Sequence, residues 1–541
     1  MKQKQKLKEQ IRTSSEKFQE ISTEFCNQSS IHGVRYLAER KQHWSERIWW
    51  IFAFVLSALV CISSIRISWM KWSENPVSII FDDKPNSKQI SKIPYPTVTI
   101  CPETKTCRQK LDFTAVQSVI MNKTDLNLSE IENARLNSLA HLCEHLSDTY
   151  NFQDEFTGEW IYDIFSDMAP SLHHTLNHCT WQDKDRPCGE IFVPVLTENG
   201  LCFTFNSINS HEIYTADMAP GMMNVNHNQN ISHWNIESGY ENGLNKEYPI
   251  RVCNAEYRAG LVLSIQLFKR DLEYMCHKRG LGFTVILTAP GETVITMRNS
   301  FRVSVLEDTR IAIKPKYMTT SNGLRNYKPN ERQCFFSGEK KLRFFKIYSQ
   351  HHCEIECLSN FTRSLCECVK FSMPRDIDTK ICGASKISCY EEANYNFYTE
   401  DIGDSSKSYR DECNCLPACV SIEYDAEVDR NKYDLEILQQ NLGTSNMEVR
   451  PSRVSIFFRD HQVEKKQRKE LYSRTDFLAV CGGLLGLFLG VSVLSVIEFI
   501  YFFTLRLFLN VQNAKSHNIV TPMEHKVRNV IPIDKSNEDR F

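Results

Sequence analysis

Between Phe477 and Ile497 the chain carries no charge, and within that run small residues recur at fixed spacing: Gly482, Gly483, Gly486, Gly490 and Ser492. Three of the glycines stand four apart, on one face of a helix, and small-xxx-small spacing lets helices pack closely in lipid. Glu498 follows at membrane depth, where a carboxylate is costly and faces a bundle interior or water. A second constellation is the cysteine set. Eighteen of the 21 cysteines lie between Cys101 and Cys419, and the last ten run from Cys334 to Cys419. Within them C-x3-C (Cys353, Cys357) and C-x-C (Cys366, Cys368) are mirrored by C-x-C (Cys413, Cys415) and C-x3-C (Cys415, Cys419). A chain that runs out along a helix and returns pairs such a series as nested rungs, and Cys353 and Cys357 share a helix face. Zinc is the rival ligand, with His351 and His352 adjacent, but an oxidising compartment favours disulfides. A third motif, His141-x-x-Glu144-His145, has the spacing of a zinc site on a helix. It is short and contains Cys143, so an exposed helix with two histidines is the expectation; no metal, no cofactor and no enzyme activity is expected.

These groups need elements to hold them. Of 541 residues, only two runs are apolar enough to cross a bilayer. The first is Ile48–Ile65, flanked by Trp44, Trp49 and Trp50 at one end and Trp69 and Trp72 at the other, an aromatic belt at both interfaces. The second is the glycine-bearing run. The organisation expected is a cytosolic N-terminus (1–47), a first span (48–70), a large outer domain (71–474), a second span (475–506) and a cytosolic tail (507–541). The dense cysteines and acceptor sequons at Asn122, Asn127, Asn230 and Asn360 put the outer domain in an oxidising, glycosylating compartment. A sequon at Asn27 should go unused. The positive-inside rule runs against this topology, because Lys465, Lys466, Arg468, Lys469 and Arg474 flank the second span on its outer side. That rule weakens for long loops, and the cysteines decide. Net charge is −2, which implies no nucleic-acid partner.

Along the outer domain, Ile93–Glu103 alternates as a half-buried strand, Gly200–Asn206 and Gly282–Glu292 read as a strand and as a strand with turn, and Val262–Leu267 is strand-like. Ser129 and Glu132 form a capping box opening a helix over Ser129–Tyr150, with Ile131, Leu139, Leu142 and Leu146 on its apolar face and Arg135 interrupting it.

The run from Gly482 to Glu498 resembles the pore-lining helix signature of the degenerin/epithelial sodium channel/acid-sensing channel family, and every fixed position is present. His32-Gly33 resembles that family's cytosolic motif, which implies a re-entrant turn with a role in gating. IPYPTVTICPE, GLCFTFN and GFTVILTAPGE resemble family strands, and the ten cysteines resemble the five-rung ladder of its thumb, at about 330–420. The resemblance covers about 31–510, is poor over 104–280, and is closest in style to the insect pickpocket branch. Departures are Thr288 for a usual histidine, Val480 at the outer mouth for an aspartate, and a tail without PPxY; acid sensing is not carried over.

What the resemblance implies is a trimeric α+β membrane protein, homo- or heteromeric with related subunits, with a β-sheet palm and a helical thumb, in the plasma membrane with both termini cytosolic. Its permeant would be sodium; Gly490, Val491 and Ser492 would form the filter; Gly486 would contact amiloride; Ala479, His32 and Gly33 would act in gating. The pairs implied are Cys334–Cys419, Cys353–Cys415, Cys357–Cys413, Cys366–Cys389, Cys368–Cys382, Cys101–Cys202 and Cys179–Cys188, with Cys107, Cys143, Cys253 and Cys276 unassigned. Two other classes remain open: a two-span receptor channel of the ATP-gated kind, and a non-conducting accessory or adhesion subunit.

Overall fold

The structure is a computed structural model that describes residues 21–38, 43–74, 77–81, 89–122, 128–143, 146–223, 231–241, 248–276, 280–294, 300–399, 409–434, 437, 448–471 and 473–509. It divides into two units, Met1–Pro76 with Leu471–Phe541, and Val77–Glu470.

In the first unit, helix α1 (Trp44–Glu74) is longer at both ends than the apolar run alone suggests. At 1.5 Å per residue its 31 residues span about 46 Å, more than a hydrocarbon core. The expected second span is not one straight helix. It breaks into a helix at Arg474–Leu489 and a second at Val493–Ile500, which continues as a π-turn over Tyr501–Arg506, and the two halves bend by 73°. A helix over 21–28 and the short helix Val34–Ala38 complete the unit.

The second unit is built on two sheets. An edge strand β1 (Val77–Phe81) opens the larger one, and β2 (Thr97–Pro102) the smaller. The chain then forms α2 (Glu130–Ala140) and α3 (Trp160–Met168) before returning through β3 (Leu176–Trp181), β4 (Lys184–Arg186), β5 (Phe192–Thr197) and β6 (Gly200–Phe205). Strands β7 (Leu261–Phe268), β8 (Gly282–Thr288), β9 (Ser300–Ser304) and β10 (Glu307–Thr320) precede the helices α4 (Gln350–Cys366) and α5 (Ile387–Tyr398). Strands β11 (Ser421–Lys432), β12 (Val449–Phe458) and β13 (Glu464–Glu470) close the unit. The eight-stranded sheet runs β1-β13-β10-β12-β7-β3-β4, with β11 on the other edge of β10; the five-stranded sheet runs β9-β8-β2-β6-β5.

Period-two alternation places the core between them. In β7 the side chains of Leu261, Leu263, Ile265 and Leu267 are buried and their neighbours half-buried, and β10 repeats the pattern through Ile311 and Ile313. These meet Val98, Ile100, Phe203, Phe205, Val285 and Leu287 of the smaller sheet in one cluster. Tyr95 is wholly buried there because its hydroxyl donates to the Ile456 carbonyl at 2.9 Å.

The helix at Ser129 differs from expectation. Its capping box is present, but α2 ends at Ala140, and Leu146–Thr149 is a separate short helix. Ile131 is exposed, and Leu136 takes its place in the core with Leu139, Leu142 and Leu146. Arg135, the interruption in the pattern, explains the rotation: its guanidinium reaches Asp167 of α3 at 2.7 Å and the Lys110 carbonyl at 2.9 Å. An ion-paired arginine can border a core face that a free one would leave.

Candidate functional site

Ser473 caps the first half of the broken segment, which we name α6 (Arg474–Leu489), accepting from Asp476 N–H while Asp476 reaches back to Ser473 N–H. No polar side chain then interrupts the helix until Gly490. Gly490 has φ +68°, a left-handed conformation that glycine adopts without penalty, and it ends α6 by donating to the Gly486 carbonyl at 3.0 Å. Ser492 starts the second half, α7 (Val493–Ile500), accepting from Ser495 N–H at 3.2 Å. The expected filter residues Gly490, Val491 and Ser492 are thus the link between two helices, with extended or left-handed backbone and not a helical turn.

The loop at the N-terminus covers this break. His32 N–H donates to the Leu489 carbonyl at 2.9 Å, satisfying an acceptor that α6 leaves over. A Cβ added at Gly490 would lie 2.6 Å from the His32 ring, so the glycine is required both by its φ and by the imidazole beside it. Gly33, at φ +85°, turns the chain back out of the site. Ser30 then joins the two halves of the unit: its hydroxyl lies 2.7 Å from the Ser495 hydroxyl and donates to Glu498 at 3.1 Å. Ser495 is buried and Glu498 half-buried. Below, Ile21 and Phe25 of the 21–28 helix pack on Phe499, Phe502 and Phe503, and Glu24 pairs with Arg506. At the other end Phe477 of α6 meets Trp69 and Trp72 of α1 at 5.5 and 5.4 Å.

The remaining glycines, Gly482, Gly483 and Gly486, face open space, with no atom within 4 Å of an added Cβ, and Ala479 is exposed on the same helix. Among the described residues nothing covers these glycines. Sequence reasoning singled out His32, Gly33, Gly490–Ser492 and Glu498, which the structure brings together, but not Ser30 or Ser495; the S-x-x-S spacing of Ser492 and Ser495 is the capping signal that could have pointed to the helix restart.

In the second unit, α4 and the return through α5 carry the five bonds Cys334–Cys419, Cys353–Cys415, Cys357–Cys413, Cys366–Cys389 and Cys368–Cys382. Cys101–Cys202 joins β2 to β6, Cys179–Cys188 closes a short loop, and Cys143–Cys276 is an eighth bond. Cys107 and Cys253 remain thiols. Burial, aided by the nearby Asp271 carboxylate, pushes the Cys107 thiol up to about 11, so it is a poor nucleophile. His352 uses both ring nitrogens: Nδ1–H donates to the Ile347 carbonyl at 2.8 Å and Nε2 accepts from Thr293 N–H at 3.1 Å. It stacks on Phe345, and burial holds its pKa down at about 3. His141, at the end of α2, is likewise buried against Tyr390, its Nδ1 3.0 Å from the phenol oxygen, rather than exposed. Glu144 and His145 lie outside the described residues, and no group of three metal-ligating side chains occurs among the described ones. Asn122 and Asn360 are exposed; Asn127 and Asn230 lie outside the described residues.

The chain thus combines a bilayer-length apolar helix, a second apolar segment broken at a G-x-S link, and a disulfide-rich α+β unit. Residues 25–502 match the family model described as amiloride-sensitive sodium channel. The chain is 28 % identical to Pickpocket protein 28 of Drosophila melanogaster, over 89 % of this chain and 78 % of that protein. It is 20 % identical to the sodium channel protein Nach of the same fly, over 89 % and 86 %, and 23 % identical to human acid-sensing ion channel 2, over 88 % and 84 %. The chain belongs to the amiloride-sensitive sodium channel family.

Proposed function

We propose that this chain is a subunit of a trimeric, sodium-selective, amiloride-sensitive cation channel of the plasma membrane, spanning the bilayer twice with both termini cytosolic and gated through its disulfide-rich unit. The observation that carries the reading is the break at Gly490–Ser492. Non-helical backbone at membrane depth is tolerated only where protein buries it or where it lines a water-filled path. Here His32 covers the link at Gly490, while Ser492 is exposed and its hydroxyl caps the next helix. Three such links around an axis would present carbonyl oxygens and hydroxyls to a partly dehydrated cation. Glu498 would add negative charge on the inner side, held in place by Ser30.

Voltage clamp of cells expressing the chain alone and with related subunits tests this. A sodium-selective, amiloride-blocked current is the expected result, with block weakened at Gly486→Ala and the sodium/potassium ratio altered by Ser492→Cys. An unchanged ratio in a conducting Ser492→Cys channel would place the filter elsewhere. A chain that reaches the surface, never conducts, and alters no partner's current would instead support the accessory reading.

A further inference from the structure

Ser30 lies two positions before His32, in the loop that covers the Gly490 break, and its hydroxyl belongs to a chain of four side chains. Ser492 Oγ is 3.1 Å from Ser495 Oγ, Ser495 Oγ is 2.7 Å from Ser30 Oγ, and Ser30 Oγ is 3.1 Å from Glu498 Oε2. Ser492 belongs to the link and Ser495 and Glu498 to α7, one turn apart. The N-terminal loop therefore supplies the member that joins the carboxylate to the other two hydroxyls.

Counting protons gives this chain a direction. A hydroxyl has one proton to donate and two lone pairs, whereas a carboxylate only accepts. Ser30 gives its proton to Glu498, and its backbone N–H donates to the same oxygen at 3.4 Å. Having no second proton, Ser30 accepts from Ser495 at the 2.7 Å contact. With its own proton so placed, Ser495 accepts from Ser492 O–H, beside the Ser492 N–H that it also takes at 3.1 Å. Every polar position of the buried Ser495 hydroxyl is thereby filled. Ser492 is left with its proton turned inward. One of its lone pairs takes Ser495 N–H at 3.2 Å; the other has no partner among the described residues, and Ser492 is exposed. A lone pair is what a partly dehydrated cation takes from a hydroxyl, and a hydrogen turned the same way would oppose it. Without Ser30 nothing fixes that choice, because Ser495 O–H is then free to donate to Ser492 and turn its hydrogen outward.

We propose that Ser30 is a positioning residue for ion selection: its hydroxyl links Glu498 to Ser495 and so holds Ser492 as an acceptor toward the ion. This rests on the channel reading given under the proposed function, and contact and consequence are measured separately. Full-length Ser30→Cys/Ser495→Cys chain, purified in nanodiscs and oxidised with copper phenanthroline, should give peptides joined through positions 30 and 495 in non-reducing mass spectrometry. Ser30→Cys/Val496→Cys, one exposed residue further round α7, should give little. In voltage clamp of the chain, alone or with related subunits, Ser30→Ala should lower the sodium/potassium ratio about twofold to tenfold, the effect of one hydrogen bond. Ser30→Thr, which keeps the hydroxyl, should restore it. Ser30→Cys, a weak donor, gives the same reading should Ser30→Ala fail to reach the surface. Ser495→Ala should act like Ser30→Ala, and the double variant no more strongly, because each breaks the same chain. Equal cross-linking at 495 and 496 would overturn the proposal. So would a selective wild-type current whose ratio is unchanged in Ser30→Ala, which would leave Ser30 as a pin for the loop. A wild-type chain that cross-links at 30 and 495 but conducts in no combination would overturn the channel reading itself, and the selective role of Ser30 with it.

Discussion

At the scale of single residues, Gly490 carries two constraints at once. In its left-handed conformation a Cβ would cost about 1–2 kcal/mol and would also meet the His32 ring. Gly490→Ala should abolish or deregulate current in voltage clamp, and Gly490→Ala/His32→Ala should recover part of it by freeing the space; no recovery at full surface expression would remove His32 from the explanation. The buried histidines His352 and His141 set a pH dependence of stability. Burial is the main cause that holds both at about 3 in the folded chain, below the ordinary histidine value of 6.5. Between those values the unfolded chain binds protons that the folded chain refuses, so stability is complete above about pH 6.5 and falls as pH drops toward 3. By pH 5 the loss is on the order of 2 kcal/mol per histidine. Thermal melts of the purified chain at pH 7.5 and pH 5 should show it, and His352→Gln should shrink the difference between the two pH values by about half. An unaltered difference would mean that His352 does not stay neutral through this range.

At the scale of elements, α6 has one face of small residues that the described part of the chain leaves open. Among the described residues nothing lies within 4 Å of a Cβ added at Gly482, Gly483 or Gly486, and Ala479 is exposed, while Phe477 is engaged by Trp69 and Trp72. If three copies converge on that face when the pore is shut, only small side chains fit. Valine at 479 adds two methyl groups, and overpacking costs about 1–3 kcal/mol per site. Three subunits give about 3–9 kcal/mol, against the ~5.5 kcal/mol that inverts a 99:1 population. Ala479→Val should therefore carry a standing, amiloride-sensitive sodium current without stimulus. A mutant that reaches the surface and responds normally but is silent at rest would show that this face looks at lipid.

For the molecule as a whole, the disulfides set which parts of the cysteine-rich unit are held as one body. Five bonds tie α4 and the return chain into one body, and Cys101–Cys202 ties the smaller sheet to itself. Each closes a loop that the unfolded chain would otherwise leave open, and is worth about 2–4 kcal/mol on the loop-entropy account. Non-reducing peptide mapping of the purified chain should recover Cys143 joined to Cys276, with Cys107 and Cys253 alkylated before any reductant is added. A Cys353–Cys334 peptide would break the nested order. Removing the rung Cys357–Cys413 as a double serine variant should lower stability by a few kcal/mol without changing the sodium/potassium ratio, because the proposed filter residues Gly490–Ser492 belong to the other unit.

Much of this was written in local pattern. The strand-like run Val262–Leu267 and the capping box at Ser129 depend on residues a few positions apart, and they appear in the structure where the sequence puts them. The glycine row and the mirrored cysteines were legible for the same reason, since spacing alone fixes which side chains share a face. What could not be read was decided by residues far apart in the chain. Gly490 looked like one more small residue in a continuous helix; its left-handed φ and the 73° bend appear with a loop from the N-terminus that supplies the hydrogen bond the break requires. Ile131 and Leu136 exchanged roles because Arg135 found Asp167 on another helix. Cys143 and Cys276 had no mirrored spacing to betray them. Periodicity records how a segment divides its own faces, but which partner each face meets is a free-energy balance among all segments, and only the folded chain settles it.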